Sequence, residues 1–392
     1  MGGMTETQRQ DSPLALLHDL VAIPSVNRRL APDGSGETAI AEFCRRWLEQ
    51  RGFVVEWLED TPGSPTLVAV VTGTGGGKTL LLNGHLDTVG VESYIGDPFS
   101  AVVEDGKIYG RGTFDMKGSL AAMLISAARA ARDPVAGTVV VTLVSDEEFG
   151  SIGTEEALRW IVTSGLHVDG AVVAEPSELE LTIAHRGFAW FELELTGRAA
   201  HGSQPERGID AIAGATALLP ALDAWGRTLA SGDGHELVGT GTVRVAMISG
   251  GVNAATVAPT CRITIERRFL PGEHVDAVED ELLAVIREAL KNAPELTFAL
   301  TRLVARAAFE GDPQSDIVQS LRAATKVIRG TPAVMRGEPF WTDAALIADS
   351  GVPCVVFGVD GGGAHSDREW VTADSLEALT SILEATIRDF CG

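Results

Sequence analysis

The side chains best suited to chemistry in this chain stand at five separated places. "NGHLDTV" (83–89) carries His85 and Asp87, "GRGTFDMKG" (110–118) carries Asp115, and "SDEEFG" (145–150) carries Asp146, Glu147 and Glu148. "AEPS" (174–177) carries Glu175, and "GGAHSDREW" (362–370) carries His365. Each alone reads as a strand-end cap or a solvated turn. Together, two imidazoles and three carboxylates suffice for two divalent cations if one carboxylate bridges, and a further Glu is then free as a base. Imidazole and carboxylate donors without thiolate suit two Zn2+ ions, with Co2+ or Mn2+ as substitutes. Two such cations beside a free Glu are the equipment of metal-assisted hydrolysis at a carbonyl.

These side chains need a frame. Apolar runs that read as buried strands, "TLVAVV" (66–71), "TLLLNG" (79–84), "TVVVTLV" (138–144), "GAVVAE" (170–175) and "VPCVVFGV" (352–359), precede most of them. Helices are expected over 12–21, 37–51, 118–132, 154–164 and from 313 to 328. Buried strands interleaved with helices predict an α/β domain with a mostly parallel, helix-covered sheet, whose carboxyl edge collects the site. Asp87, two residues beyond His85 in extended chain, points the same way and is placed to hydrogen-bond one ring nitrogen of His85. After Pro176 the texture changes. "FAWFELELTG" (188–197) and "TCRITIERRF" (260–269) alternate apolar and polar residues, and helices follow at 209–225 and 274–293. This predicts a smaller α+β domain (185–296) inserted into a discontinuous catalytic domain (1–184 and 297–392).

The stretch "TGTGGGKT" (72–79) invites a phosphate-loop reading and fails it. Six residues before Lys78 stands Thr72 instead of glycine, and a strand, not a helix, follows Thr79. The glycines serve a turn. A chain of 392 residues favours two domains. Hydrophobic residues are 45% and charged residues 22%, as in globular proteins, and the net charge of −23 disfavours nucleic acid and anionic membrane surfaces as partners. The segment "MGGMTETQRQDSP" lacks the apolar core of a secretory signal, and no run spans a bilayer. Four scattered cysteines read as free thiols, which favours a cytoplasmic location.

The ordered pieces "NGHLDTV", "GRGTFDMKG", "SDEEFG", "AEPS", "HGSQPERGIDAI", "GGVNAATVAP", "ERRFLPGE" and "GGAHSDREWV" resemble the M20 metallopeptidase family of acetylornithine deacetylases, succinyl-diaminopimelate desuccinylases and glutamate carboxypeptidases. The resemblance implies that His85 and Glu175 hold one metal, Glu148 and His365 the other, and that Asp115, whose bond to Met116 is cis, bridges them. It makes Glu147 the general base and acid, His201 an oxyanion donor reaching a partner subunit, and Asn253 and Arg268 contacts for the substrate carboxylate. The inserted domain would be a lid that also forms a homodimer. The implied substrate is an N-acyl amino acid or a short peptide; "AHRGF" (184–188) is closer to the deacetylase pattern than to the paired arginines of desuccinylases. Departures fall at Asp360, Arg368 and Trp370, near His365. A catalytically inactive dimeric binding protein on the same fold is the alternative from another class; the complete set of ligands and base weighs against it.

Overall fold

The computed structural model describes residues 11–392, so most of the stretch read for a signal lies outside them. The chain forms two compact units. The larger runs to Ile183 and takes up Gly311–Arg336 and Thr342–Gly392; the smaller is Ala184–Glu310 with Gly337–Trp341.

The larger unit begins with α1 (Pro13–Val21) and α2 (Thr38–Glu49), followed by β1 (Val54–Leu58), β2 (Thr66–Thr72), β3 (Thr79–His85) and the short β4 (Val102–Glu104) and β5 (Lys107–Tyr109). Ser12 starts α1 by accepting the Ala15 amide at 3.3 Å, with Pro13 at the first helical position. Next come α3 (Gly118–Arg132), β6 (Thr138–Val144), α4 (Ile152–Ser164), β7 (Gly170–Val173) and β8 (Leu181–His185). The smaller unit adds β9 (Gly187–Thr196), α5 (Ala211–Ser231), β10 (Thr242–Gly250), β11 (Thr260–Phe269), α6 (Val275–Leu290), β12 (Thr297–Arg306) and β13 (Phe309–Glu310). The chain returns through α7 (Asp316–Arg329), β14 (Met335–Glu338), α8 (Ala344–Asp349), β15 (Cys354–Val356), β16 (Gly361–Gly362), β17 (Trp370–Thr372) and α9 (Ala373–Phe390).

In the larger unit the sheet order is β1-β2-β6-β3-β7-β15-β8. The four central strands β6, β3, β7 and β15 are parallel, so their carboxyl ends lie on one edge. The flanks are antiparallel, which makes the sheet mixed with a parallel centre. Both faces of the centre are covered, and for that reason β3, β6 and β7 are apolar runs without alternation. The glycine loop between β2 and β3 passes the start of β6, which lies between those two strands. A side chain at Gly73 would meet the Val135 carbonyl at 2.1 Å, and Gly75 and Gly76 have φ of +101° and +92°. The loop is a close crossing, with no helix behind it to receive a phosphate.

In the smaller unit four antiparallel strands, ordered β10-β11-β9-β12, carry α5 and α6 on one face. Phe191, Leu193, Leu195, Ile263 and Ile265 pack there against Leu218, Leu282 and Ile286. The expected boundary at 296/297 falls too early. β12 pairs with β9 along Thr297–Arg306 and belongs to this unit, because an antiparallel edge strand needs β9 as its hydrogen-bonding partner.

Candidate metal centre

At the carboxyl edge of the parallel strands, Asp115 stands between two histidines. Its Oδ1 is 3.1 Å from His85 Nε2, and its Oδ2 is 3.2 Å from His365 Nε2. Glu175 Oε1 is 3.5 Å from the same His85 nitrogen, and Glu148 Oε2 is 2.8 Å from His365 Nε2. Donor atoms of His85, Glu147 and Glu175 lie within 4.8 Å of one another, as do those of His85, Asp115 and Glu148. All six residues drawn from the five sequence segments therefore meet. Local backbone geometry delivers them: β3 ends at His85, Asp146 turns the chain after β6 with φ +62°, and Gly363 (φ +78°) precedes His365 (φ +59°). The Asp115–Met116 peptide bond is cis.

Electrostatics show which charge the cluster would take up. Burial, with Glu175 next, pushes Glu147 well above the usual carboxylate range, and burial beside Asp115 pushes Glu148 up to about 7. Burial likewise raises Glu175, against the pull of His85. Hydrogen bonds to Asp115 and Glu148 push His365 up to about 10. Four carboxylates crowded out of water call for positive charge. Glu148 Oε1 is buried without a hydrogen-bond donor. An orphaned anionic oxygen among imidazoles and carboxylates fits divalent cations.

Asp87 behaves differently from expectation. His85 Nδ1 pairs with the main-chain carbonyl of Asp87 at 2.9 Å, while the Asp87 carboxylate stands 3.6 Å away. That carboxylate accepts the amides of Glu147 and Glu148, both at 3.2 Å, and Asn27 Nδ2 at 2.8 Å. The extended geometry does aim His85 and Asp87 to one side, but the backbone amides compete successfully for the carboxylate oxygens.

Three supporting residues escaped the sequence reading. Asn27 links Asp87 to Asp146 Oδ1 (3.2 Å), which also receives Arg29 Nη1 on its other oxygen at 2.9 Å. Asp343, buried at the start of α8, accepts Thr154 Oγ1 at 2.7 Å near the start of α4, and its Oδ1 has no partner. Glu369 is buried against the segment leading to Asp115. Of these, only Glu369 had a nearby signal, four residues beyond His365 in the same motif.

The remaining expected residues lie in the smaller unit. His201 is exposed, and its Nδ1 faces Ser203 Oγ at 2.8 Å. Asn253 is exposed and uses Oδ1 to accept the Ala255 amide at 2.9 Å in its turn. Alternation along β11 separates the two arginines. Arg267 is on the helix-covered face, buried against Glu273 at 2.8 Å. Arg268 is on the other face, with its guanidinium 5.2 Å from the Phe188 ring and beside Glu266. Glu266 is already engaged by Arg244 at 3.0 Å and Trp190 Nε1 at 3.0 Å, so it holds Arg268 only loosely, at 3.3 Å. Among the departures, Asp360 uses its carbonyl to accept Thr372 and Ser375 at the start of α9.

Among the described residues no helix is long and apolar enough to cross a membrane. All four cysteines are free and buried. An acetylornithine deacetylase of Myxococcus xanthus is 29% identical over 96% of this chain and 97% of its own length. A succinyl-diaminopimelate desuccinylase of Cereibacter sphaeroides is 30% identical over 96% and 98%. The fold matches a tripeptidase from Staphylococcus aureus with a TM-score of 0.79 at 22% identity, over 98% and 99% of the two chains. It also matches a dinuclear metal-binding peptidase from Bacillus subtilis with a TM-score of 0.72 at 15% identity, over 99% and 100%. The model of peptidase family M20/M25/M40 covers residues 81–389. With that coverage and an acidic, imidazole-bearing centre at the edge of its sheet, the chain belongs to peptidase family M20/M25/M40 and is a hydrolase of amide bonds.

Proposed function

We propose that this protein is a two-metal amidohydrolase that removes the acyl group from an N-acyl amino acid, in the manner of an acetylornithine deacetylase. The observation that carries the reading is the division of Asp115, with a histidine on each carboxylate oxygen. A bridging ligand needs that arrangement. His85 and Glu175 complete one cation position, Glu148 and His365 the other, and Zn2+ suits the donors, with Co2+ or Mn2+ as substitutes. Bound cations supply positive charge that acidifies water and polarises the scissile carbonyl.

Glu147 is the base. It takes a proton from the attacking water and passes it to the leaving nitrogen, so the C–N bond breaks into a carboxylate and a free amine. Asp87 keeps Glu147 in place through its amide. Arg268, planar and two-pronged, and Asn253 bind the substrate carboxylate, and His201 donates to the oxyanion. The smaller unit acts as lid and as the homodimer surface. The deacetylase and desuccinylase relatives support an acylated amino acid, and the peptidase family supports a short peptide as the rival substrate.

A panel of N-acetylornithine, N-succinyl-diaminopimelate and dipeptides, with metal supplied, tests the reading. N-acetylornithine turning over fastest is the expected result. Preference for dipeptides moves the substrate class, and no turnover of any of them by the metal-loaded protein overturns the proposed substrate class.

A further inference from the structure

The buried ion pair Arg111–Glu369 has no part in the roles above. We propose that it is a positioning pair that clamps the Asp115 segment to the His365 turn and so governs the affinity of the second cation position, between Glu148 and His365; this rests on the two-metal reading. Glu369 Oε1 accepts the amides of Phe114 and Asp115, each at 2.9 Å. Its Oε2 accepts the Gly112 amide at 2.9 Å and Arg111 Nη1 at 2.8 Å. Every one of these bonds goes to residues 111–115, and Glu369 itself lies four residues beyond His365. Arg111 closes the clamp in the other direction, donating from Nη2 to the Ser366 carbonyl at 2.8 Å, next to His365. The two side chains of the pair are 2% and 1% exposed, so these charge-assisted bonds form away from water, where they are strong.

The two histidines differ in what holds them. His85 is the last residue of β3 and its side chain is 1% exposed, so the sheet fixes it. The His365 side chain is 54% exposed and its backbone is left-handed at φ +59°. Packing holds His365 less firmly than His85, and the clamp on its turn supplies part of the support that the sheet gives His85. Asp115 is common to both positions, but only the second depends also on the His365 turn, so loosening the clamp acts on that position more than on the other.

The test is a Zn2+ titration of metal-stripped protein by calorimetry, with elemental analysis after gel filtration and the visible spectrum of the Co2+ form. Glu369→Gln keeps the size of the side chain but loses the charge and turns an amide donor toward backbone N–H groups. It is expected to bind the first equivalent as the natural protein does and the second about 10–100-fold more weakly. Arg111→Lys keeps the charge but lacks the fork that reaches Glu369 and Ser366 together, and the same asymmetry is expected to a smaller degree. Val141→Ala, in β6 and away from the pair, is the destabilised control expected to keep both equivalents. Equal weakening of both equivalents, or an undiminished second equivalent, overturns the clamp. If Glu369→Gln does not fold, Arg111→Lys decides. A natural protein that binds fewer than two equivalents sinks the two-metal reading itself, before any substitution is made.

Discussion

The carboxylate of Asp87 lies 3.2 Å from the amide of Glu147, and its second oxygen takes the amide of the next residue at the same distance. A residue two places past a metal-ligand candidate on β3 thus holds the turn that presents Glu147, the proposed base, after β6. The order of the parallel strands, with β3 beside β6, makes the contact possible. Asp87 contributes to His85 through its carbonyl and to Glu147 through its side chain, so one residue sets both.

Asn27 should matter for turnover although it is remote in sequence. It donates to both Asp87 and Asp146, and removing it takes away the one side-chain donor that these two buried carboxylates share. Asn27→Ala is expected to lower kcat about 10-fold or more, as loss of a supporting hydrogen bond does, with KM little changed and metal content intact. Native kcat in this variant would show that Asp87 needs no help.

Glu147→Gln removes proton transfer and little else. The expected loss in kcat is about 100-fold or greater, with both cations retained and melting temperature close to that of the natural protein. Near-native turnover assigns the base elsewhere, and loss of a cation makes Glu147 a ligand.

Glu37 offers a pH test of stability in metal-free protein. Burial, with Asp87 next, pushes its carboxyl up to about 8 from an ordinary value of 4.5. The folded state then binds this proton more tightly than the unfolded state, so the group costs stability progressively as pH rises from about 4.5 to 8. Glu37→Gln should leave the melting temperature nearly unchanged at the low end of that window and raise it at the high end. An equal effect at both pH values would refute the shift.

His201 carries the proposal that the smaller unit contributes to chemistry. His201→Ala is expected to depress kcat about 100-fold, with a smaller effect on KM. Mixing it with Glu147→Ala subunits should restore part of the activity if each subunit lends His201 to its partner. A mixture as inactive as its components removes that cross-subunit role.

Legibility followed the physics of each element. β3, β6 and β7 were readable because strands buried on both faces are unbroken apolar runs. β10 lacks a legible strand pattern: it is an edge strand, largely exposed, and a register shift between Val245 and Met247 breaks its alternation. α9 lies outside the expected elements although Leu376, Leu379, Leu383 and Ile387 recur at helical spacing and Thr372 caps it. The proposed ligands are legible as acidic or imidazole groups at strand ends, or in Asp115's case just before a helix. Asn27 and Asp343 were invisible because each acts on residues more than fifty positions away, through contacts that exist only once the strands are ordered. The role of Asp87 was half visible, since side-chain direction is local and the competition from the Glu147 and Glu148 amides is not.

Anomalous diffraction at the zinc edge from Zn2+-soaked crystals addresses the central claim most directly. Two peaks about 3.5–4 Å apart are expected, one on each side of Asp115, the first beside His85 and Glu175 and the second beside Glu148 and His365. A single peak, or two peaks that do not share Asp115, would contradict the account.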